Sequence, residues 1–282
     1  MNRWMSDGTE DPGNKLRKNS ISESHINTLT QTLNATATYQ KNINLHDFKL
    51  LGGFSQEWAH TNTLSAGRKV LLLDGIEVID AGTDEITNGG SAEEWALRSF
   101  FGRINYNYDE KYLLEANVRY DGTSRFAKDN RWGCFPSFSA GWNFSKEKFM
   151  SFADPVLQMA KLRASWGELG NQNVGDNFYP YLVAIESVDK AYPIGNQLNT
   201  GFQQIALGNK NIKWETIRML NIGVDFALFN NRLTVSADWF KKNNMDALVR
   251  PSFPLVIGKW QKDSSRDYLP LENLGEVESR GW

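Results

Sequence analysis

The side chains best suited to chemistry are few in this sequence and far apart. His25, His46 and His60 have no cysteine or further histidine at metal-ligand spacing, so no metal site is expected. Cys134 is the single cysteine, which excludes an internal disulfide, and its neighbours Gly133 and Phe135 offer nothing that would activate a thiolate. His-Glu-x-x-His, paired cysteines, a Gly-x-Ser-x-Gly elbow and a phosphate-cradling glycine loop are all missing. Catalysis has no anchor, so the expectation is neither an enzyme nor a cofactor protein. The polar residues do have a spacing. Arg103 and Asn105, then Glu115, Asn117, Arg119 and Asp121, then Lys161 and Arg163, then Asn221 and Asp225, and finally Asp238 stand at every second position of successive segments. Charge at period two is one face of a strand, and its chemistry is solvation and binding. The residues expected to offer contacts to a polar ligand are Arg103, Asn117, Arg119, Asp121, Arg125, Trp132, Arg163, Asn221, Asp225 and Asp238. Phe178, Tyr179, Tyr181 and Tyr192 add aromatic faces that stack on sugar rings. The plainer reading of Arg125 and Trp132 is that they hold their own loop together.

Strands must position these residues, and the composition favours strands: the 282 residues include 10 Trp, 9 Tyr, 16 Phe and 23 Gly. A charged fraction of 23% beside 40% apolar residues is that of a folded protein, and a net charge of −2 gives no footprint for nucleic acid. The longest apolar run, Tyr181 to Ile185, is far short of the roughly 20 residues of a membrane helix, and no charged-then-apolar leader opens the sequence. Two classes remain: a soluble protein, or a membrane barrel whose leader lies outside this sequence.

The alternation recurs along the chain. Phe100, Gly102, Ile104, Tyr106 and Tyr108 oppose Phe101, Arg103, Asn105 and Asn107, and after the link Asp109 to Lys111 the pattern resumes with Tyr112, Leu114, Ala116, Val118 and Tyr120. Phe138, Ala140, Trp142 and Phe144 form a further strand face, as do Leu162, Ala164 and Trp166. Leu220 to Leu228 and Leu233 to Trp239 make a hairpin about Asn230-Asn231. Leu29 to Tyr39, with a break at Gln31, and Phe48 to Phe54 pair near the start, and Asn273 to Trp282 is a final strand. Short links near 41–47, 109–111 and 229–232, with a longer turn at 145–159, alternate with long ones at 61–94, 121–136, 170–216 and 245–272. Short turns on one side and long loops on the other are the pattern of an up-and-down outer-membrane barrel.

A soluble sheet also alternates, so the test is what caps the apolar face. Tyr106, Tyr108, Tyr112, Phe144 and Phe226 gather toward the short-turn end, and Tyr120, Phe138, Trp166 and Trp239 toward the long-loop end. This is the layout of two interfacial aromatic girdles, with Ile104, Leu114, Ala116, Val118, Ala140, Ala164, Ile222 and Val224 facing lipid between them. The opposite face is too polar for a dry core and suits a water-filled lumen. The rival reading is a soluble β-rich carbohydrate-binding or adhesion module, in which the apolar set becomes an internal core.

Several separated motifs carry a family resemblance. They are Ser99 to Ala127, Asn130-Arg-Trp-Gly133, Phe135 to Trp142, Lys161 to Gly167, Gly170-Asn-Gln-Asn173, Ile212 to Thr216, Asn221 to Asp225, Phe229 to Leu233 and Asn273 to Trp282. In this order they closely resemble the SusC/RagA family of TonB-linked outer-membrane proteins of Bacteroidetes, over roughly Leu29 to Trp282. The resemblance implies residence in the cell outer membrane and import of oligosaccharides or peptides. It implies a 22-stranded barrel closed by an N-terminal plug, driven by TonB through a TonB box, with a SusD-like surface lipoprotein over the mouth. Against that pattern, the leader, TonB box, plug and most strands are missing here. The expected organisation is an all-β piece of a transmembrane antiparallel barrel with about nine strands: an extracellular loop remnant over 1–26, then strands and long extracellular loops over 27–282. Nine strands cannot close so wide a barrel, and open edges in lipid leave backbone groups unpaired.

Overall fold

The alternating segments become strands in the computed structural model, which describes residues 20–71, 78–153, 156–175, 178–194, 197–251 and 270–282. Among these residues there is no α-helix. The strands are β1 (Ser20–Ile43), β2 (His46–Leu71), β3 (Gly82–Tyr108), β4 (Tyr112–Thr123), β5 (Trp132–Asn143), β6 (Leu157–Asn171), β7 (Ala184–Ile194), β8 (Gln197–Ala206), β9 (Glu215–Leu228), β10 (Leu233–Val249) and β11 (Glu272–Gly281). Nine of them form one sheet in the order β1-β2-β3-β4-β5-β6-β9-β10-β11, while β7 and β8 pair only with each other. Consecutive neighbours from β3 to β11 run antiparallel, which is the expected meander.

The tight turns follow from residues that tolerate a left-handed backbone. Asp109 and Glu110 both sit at φ 51°, closed by Lys111 N–H on the Tyr108 carbonyl at 2.8 Å. Asn230 and Asn231, at φ 58° and 63°, make the turn between β9 and β10. Between β5 and β6 lie two 3-10 segments, Phe144–Lys146 and Lys148–Ala153, so Phe144 opens a turn rather than ending a strand.

The chain divides into two compact units, residues 1–31 with 58–95, and residues 32–57 with 96–282. In the first, the far parts of β2 and β3 are cross-linked by Thr87 Oγ1 on the Gly67 carbonyl at 3.2 Å and by Arg68 on the Gly82 carbonyl at 3.1 Å. The second holds β4 to β11 and the candidate site.

Three expected loops are shorter or more ordered than the alternation indicates. The loop expected at 61–94 is mostly strand, because β2 runs to Leu71 and β3 starts at Gly82. Residues 83–94 are exposed, and a strand in water needs only a paired backbone, so no apolar alternation marks it. The loop expected at 121–136 shrinks to 124–131, since β4 reaches Thr123 and β5 begins at Trp132. Gly133 and Pro136 mask that strand in the sequence, and pairing of β5 with β6 begins only at Ser137↔Gly167. The loop expected at 170–216 contains the β7–β8 hairpin. At the start, β1 opens at Ser20, ahead of the boundary expected at 27; residues 1–19 of that region lie outside the described ones, as do 252–269 of the last long loop.

Candidate functional site

Antiparallel register gathers the period-two polar residues into rungs. One rung runs Asn105, Glu115, Ser139, Ser165, Asn221 across β3, β4, β5, β6 and β9; the next runs Asn107, Leu113, Gly141, Arg163, Gly223, Asp238 and reaches β10. Arg163 is the hub of the second. Its guanidinium donates to Asp225 at 2.9 Å, to Asp238 at 2.7 Å and to Ser236 at 3.2 Å, and so ties three strands together on one face. Gly223 makes this possible: a Cβ there would lie 2.7 Å from Arg163 Cζ and 2.5 Å from Asp238 Oδ1. Gly223→Ala is therefore expected to displace Arg163 and to cost about 1–3 kcal/mol, the usual penalty of overpacking. Thermal unfolding of the complete barrel in detergent measures it.

Two further networks share the face. Arg103 donates to Asn117 at 2.6 Å, and Asn117 donates to Glu115 at 2.8 Å and Ser137 at 3.3 Å. Arg119 donates to both oxygens of Asp121 at 2.9 Å and to Ser99 Oγ at 2.9 Å. Asp121 is buried, as its ion pair allows. These groups border two concavities on the polar face. One, of about 370 Å³, has Asn105, Glu115, Ser139, Lys161, Arg163 and Asn221 in its wall. The other, of about 690 Å³, has Leu51, Phe101, Arg103, Asn117, Arg119 and Leu169.

Of the ten expected contact residues, eight share this face: Arg103, Asn117, Arg119, Asp121, Arg163, Asn221, Asp225 and Asp238. Trp132 does not. It is the first residue of β5, pairs with Gly122 and stacks on Tyr120 at 4.8 Å, and so belongs to the apolar face. The expectation failed because Trp132 was assigned to a loop, where alternation does not apply. Arg125 is in the 124–131 connection, its guanidinium 4.7 Å from the Phe178 ring centre. Burial lowers its pKa from the ordinary arginine value, and it remains a cation. Tyr179 and Tyr181 meet edge to face at 6.2 Å; the side chain of Tyr192 lies outside the described residues.

Sequence reasoning missed a small core beside this site. Phe126, Phe135, Val174, Ile212 and Trp214 are buried together, with Phe126 and Ile212 wholly inaccessible. Trp214 meets Phe126 and Phe135 edge to face at 5.5 and 5.3 Å, and its indole N–H donates to the Arg131 carbonyl at 3.0 Å. Gly133 and Gly170 clear space for the Phe135 ring, which a Cβ at Gly170 would approach to 2.1 Å. The signal available was the absence of alternation around Phe126 and Ile212.

The apolar face has no such cover. Ile104, Leu114, Val118 and Ile222 are 53%, 50%, 47% and 43% exposed. Aromatics bracket them: Tyr108 stacks on Tyr112 at 6.1 Å, His46 and Phe48 pack on Tyr106, and Phe144 meets Phe226 at 6.2 Å toward the short turns. Toward the long loops Phe138 stacks on Trp166 at 6.1 Å and Phe54 meets Phe100 at 5.3 Å, whereas Trp239, expected there, pairs with the band residue Ile222. From Tyr112 to Tyr120 the strand climbs about 26 Å at ~3.3 Å per residue, enough for the apolar band of a tilted membrane strand.

At the short-turn end Glu147 accepts from Tyr112 Oη at 2.6 Å and from Trp142 Nε1 at 3.1 Å, bonds that hold its carboxyl below the usual range. A depressed folded pKa stabilises above the unfolded value, near 4.3, and the contribution disappears as pH falls through the folded one. Amide protection in 144–153, that is, exchange relative to the intrinsic rate at each pH, is accordingly expected to fall on acidification below about pH 4.3 in the wild type and much less so in Glu147→Gln.

A sheet apolar and uncovered on one side, charged and concave on the other, and ringed by aromatics at both ends of the apolar band is the wall of a transmembrane β-barrel. The sequence profile of the family described as "TonB dependent receptor-like, beta-barrel" matches residues 3–282, and the chain belongs to that family of outer-membrane proteins. It is 33% identical over 249 residues to the TonB-dependent receptor SusC of Bacteroides thetaiotaomicron, covering 86% of this chain and 24% of that protein. It is 32% identical over 247 residues to TonB-dependent receptor P3 of Formosa agariphila, covering 87% of this chain and 23% of that protein. The chain thus spans about a quarter of the length of the curated relatives it matches. The solved structure of the RagAB peptide transporter superposes with a TM-score of 0.81 at 23% identity, over 95% of this chain and 28% of that one, a likeness of fold. These relatives are receptors and a transporter by name, not enzymes.

Proposed function

We propose that this chain supplies nine strands of the wall of a TonB-dependent importer, its polar face lining a lumen through which an oligosaccharide or peptide descends. Ile104, Leu114, Val118 and Ile222 face lipid, and the Tyr106, Tyr108, Tyr112, Phe144 and Phe226 set lies at one interface with Tyr120, Phe138 and Trp166 at the other. In the complete barrel further strands pair with the free edges of β1 and β11, TonB supplies the work through a plug, and a SusD-like lipoprotein covers the mouth. The observation that carries this reading is the pairing of an uncovered apolar face with a face of ten or more charged and amide groups. Half-exposed aliphatic residues over several adjacent strands would be a liability in water and are the normal state in lipid. RagAB is by name a peptide transporter, which keeps peptide beside oligosaccharide as the cargo class. Deleting the corresponding gene and scoring growth on defined peptides and oligosaccharides as sole nutrient tests the reading; an unchanged growth profile on every one of them contradicts it. A soluble carbohydrate-binding module is the alternative, and it requires the apolar face to be covered.

A further inference from the structure

We propose that the larger concavity of the polar face is a carboxylate subsite, gripped by Arg103 and Arg119 together. The inference rests on the reading that this face lines a nutrient passage, and adds the group recognised. Arg103 pairs with Asn117, and Phe101 with Arg119, across β3 and β4, so the two arginines are diagonal neighbours on one face, with backbones about 7–8 Å apart. Both border the concavity of about 690 Å³, and their side chains are 52% and 48% exposed.

The donors are mostly unspent. Arg103 commits only its Nε, to Asn117. Arg119 commits Nε to Asp121 and one terminal nitrogen to Ser99. A guanidinium has five N–H donors in a fixed fork, so each side chain keeps several of them facing the concavity. The carboxylates nearby are already engaged: Asp121 is buried under Arg119, and Glu115 accepts from Asn105 and Asn117 while lying 3.9 Å from Arg103 Nε; Gln172 Oε1, on the same concavity, is a neutral acceptor without a partner and can take one N–H at most from each fork. The surplus is therefore of forked donors, whose complement is a planar group with two acceptor oxygens. Leu51, Phe101 and the exposed Leu169 border the same space, an apolar flank for the residue that bears the carboxylate. Asp121 and Ser99 hold Arg119 in place, and the Phe101 ring lies 5.8 Å from its guanidinium carbon. A ligand of hydroxyls alone would leave the forks half matched.

A carboxylate of this kind is either the end of a peptide or the acid of a uronic sugar, and calorimetry on the complete receptor in lipid nanodiscs separates them. One arm compares N-acetyl-Ala-Leu-Phe with its C-terminal amide, the other tri-galacturonate with its methyl ester. The wild type is expected to prefer the acid at least tenfold in one arm or both, the responding arm giving the source. Arg103→Gln with Arg119→Gln is expected to abolish that preference. Arg103→Lys, which keeps the charge and loses the fork, is expected to weaken it at least threefold, and stands in should the double variant fail to fold. Equal binding of acid and neutral forms in both arms, no binding at all, or a preference that survives the substitutions overturns the subsite. Growth on neutral cargo separates the two claims: intact growth without an acid preference sinks the subsite alone, whereas no uptake of any cargo sinks the importer reading.

Discussion

Ala140→Arg is expected to keep most of the barrel from inserting, while Ser139→Arg, one residue away on β5, is expected to insert close to the wild-type level. Ala140 pairs with Leu114 on one side and Ala164 on the other, in the middle of the apolar band. A guanidinium there has neither water nor a carboxylate within reach, and an arginine on the lipid face near the midplane costs about 2–4 kcal/mol. Ser139 points the other way, pairing with Glu115 and Ser165 and lining the smaller concavity. There a new arginine meets solvent and a carboxylate, and its cost is within about 0.5 kcal/mol, as for an ordinary surface change. Folding the complete barrel into vesicles and scoring the fraction that resists heat-induced mobility shift on a gel reads both variants. Two substitutions to the same residue at adjacent positions have nearly the same intrinsic strand propensity, so a large difference between them reports the medium each face meets.

Phe126→Ala is expected to loosen the long-loop end without disturbing the membrane band. Phe126 is wholly inaccessible, contacts Trp214 edge to face and anchors the core with Phe135, Val174 and Ile212. Removing a buried phenyl ring ordinarily costs about 3–5 kcal/mol, of which part is the cavity left behind. Among the described residues of this unit no larger core absorbs the loss, because the sheet buries little on either face; the loss is therefore local. Limited proteolysis should cut 124–131 and 172–214 faster in the variant, with cleavage between β9 and β10 unchanged. Uniform acceleration at all sites would mean that the core supports the whole sheet.

What the sequence made legible was set by the contrast between the two faces of each strand. Where a strand has an apolar and a polar face, as from Phe100 to Tyr108 or Leu220 to Leu228, the side chains must alternate, and the strands and their faces could be read directly. Where both faces are exposed, as at 83–94, the backbone still pairs but nothing forces alternation, and that strand, like 61–71, passed for a loop. Trp132 was misplaced for a related reason: Gly133 and Pro136 hide the start of β5, and so the parity that puts Trp132 beside Tyr120. The eight residues that do share the polar face were found because parity alone decides their side. Their networks were not, since the fit of Arg163 over Gly223 depends on register between strands distant in sequence. The loop core at Phe126 and Ile212 has no periodicity to announce it.

The measurement closest to the central claim compares neighbouring positions one pair at a time in the inserted barrel. With Cys134, which is exposed, replaced by serine, nitroxide labels are placed singly at Asn117 and Val118, at Ser139 and Ala140, and at Val224 and Asp225. Oxygen, concentrated in the bilayer, should relax the labels at Val118, Ala140 and Val224, while a water-confined nickel chelate should relax those at Asn117, Ser139 and Asp225. Equal access of the nickel chelate to both members of each pair, or labels at 118, 140 and 224 shielded from both agents, would contradict it.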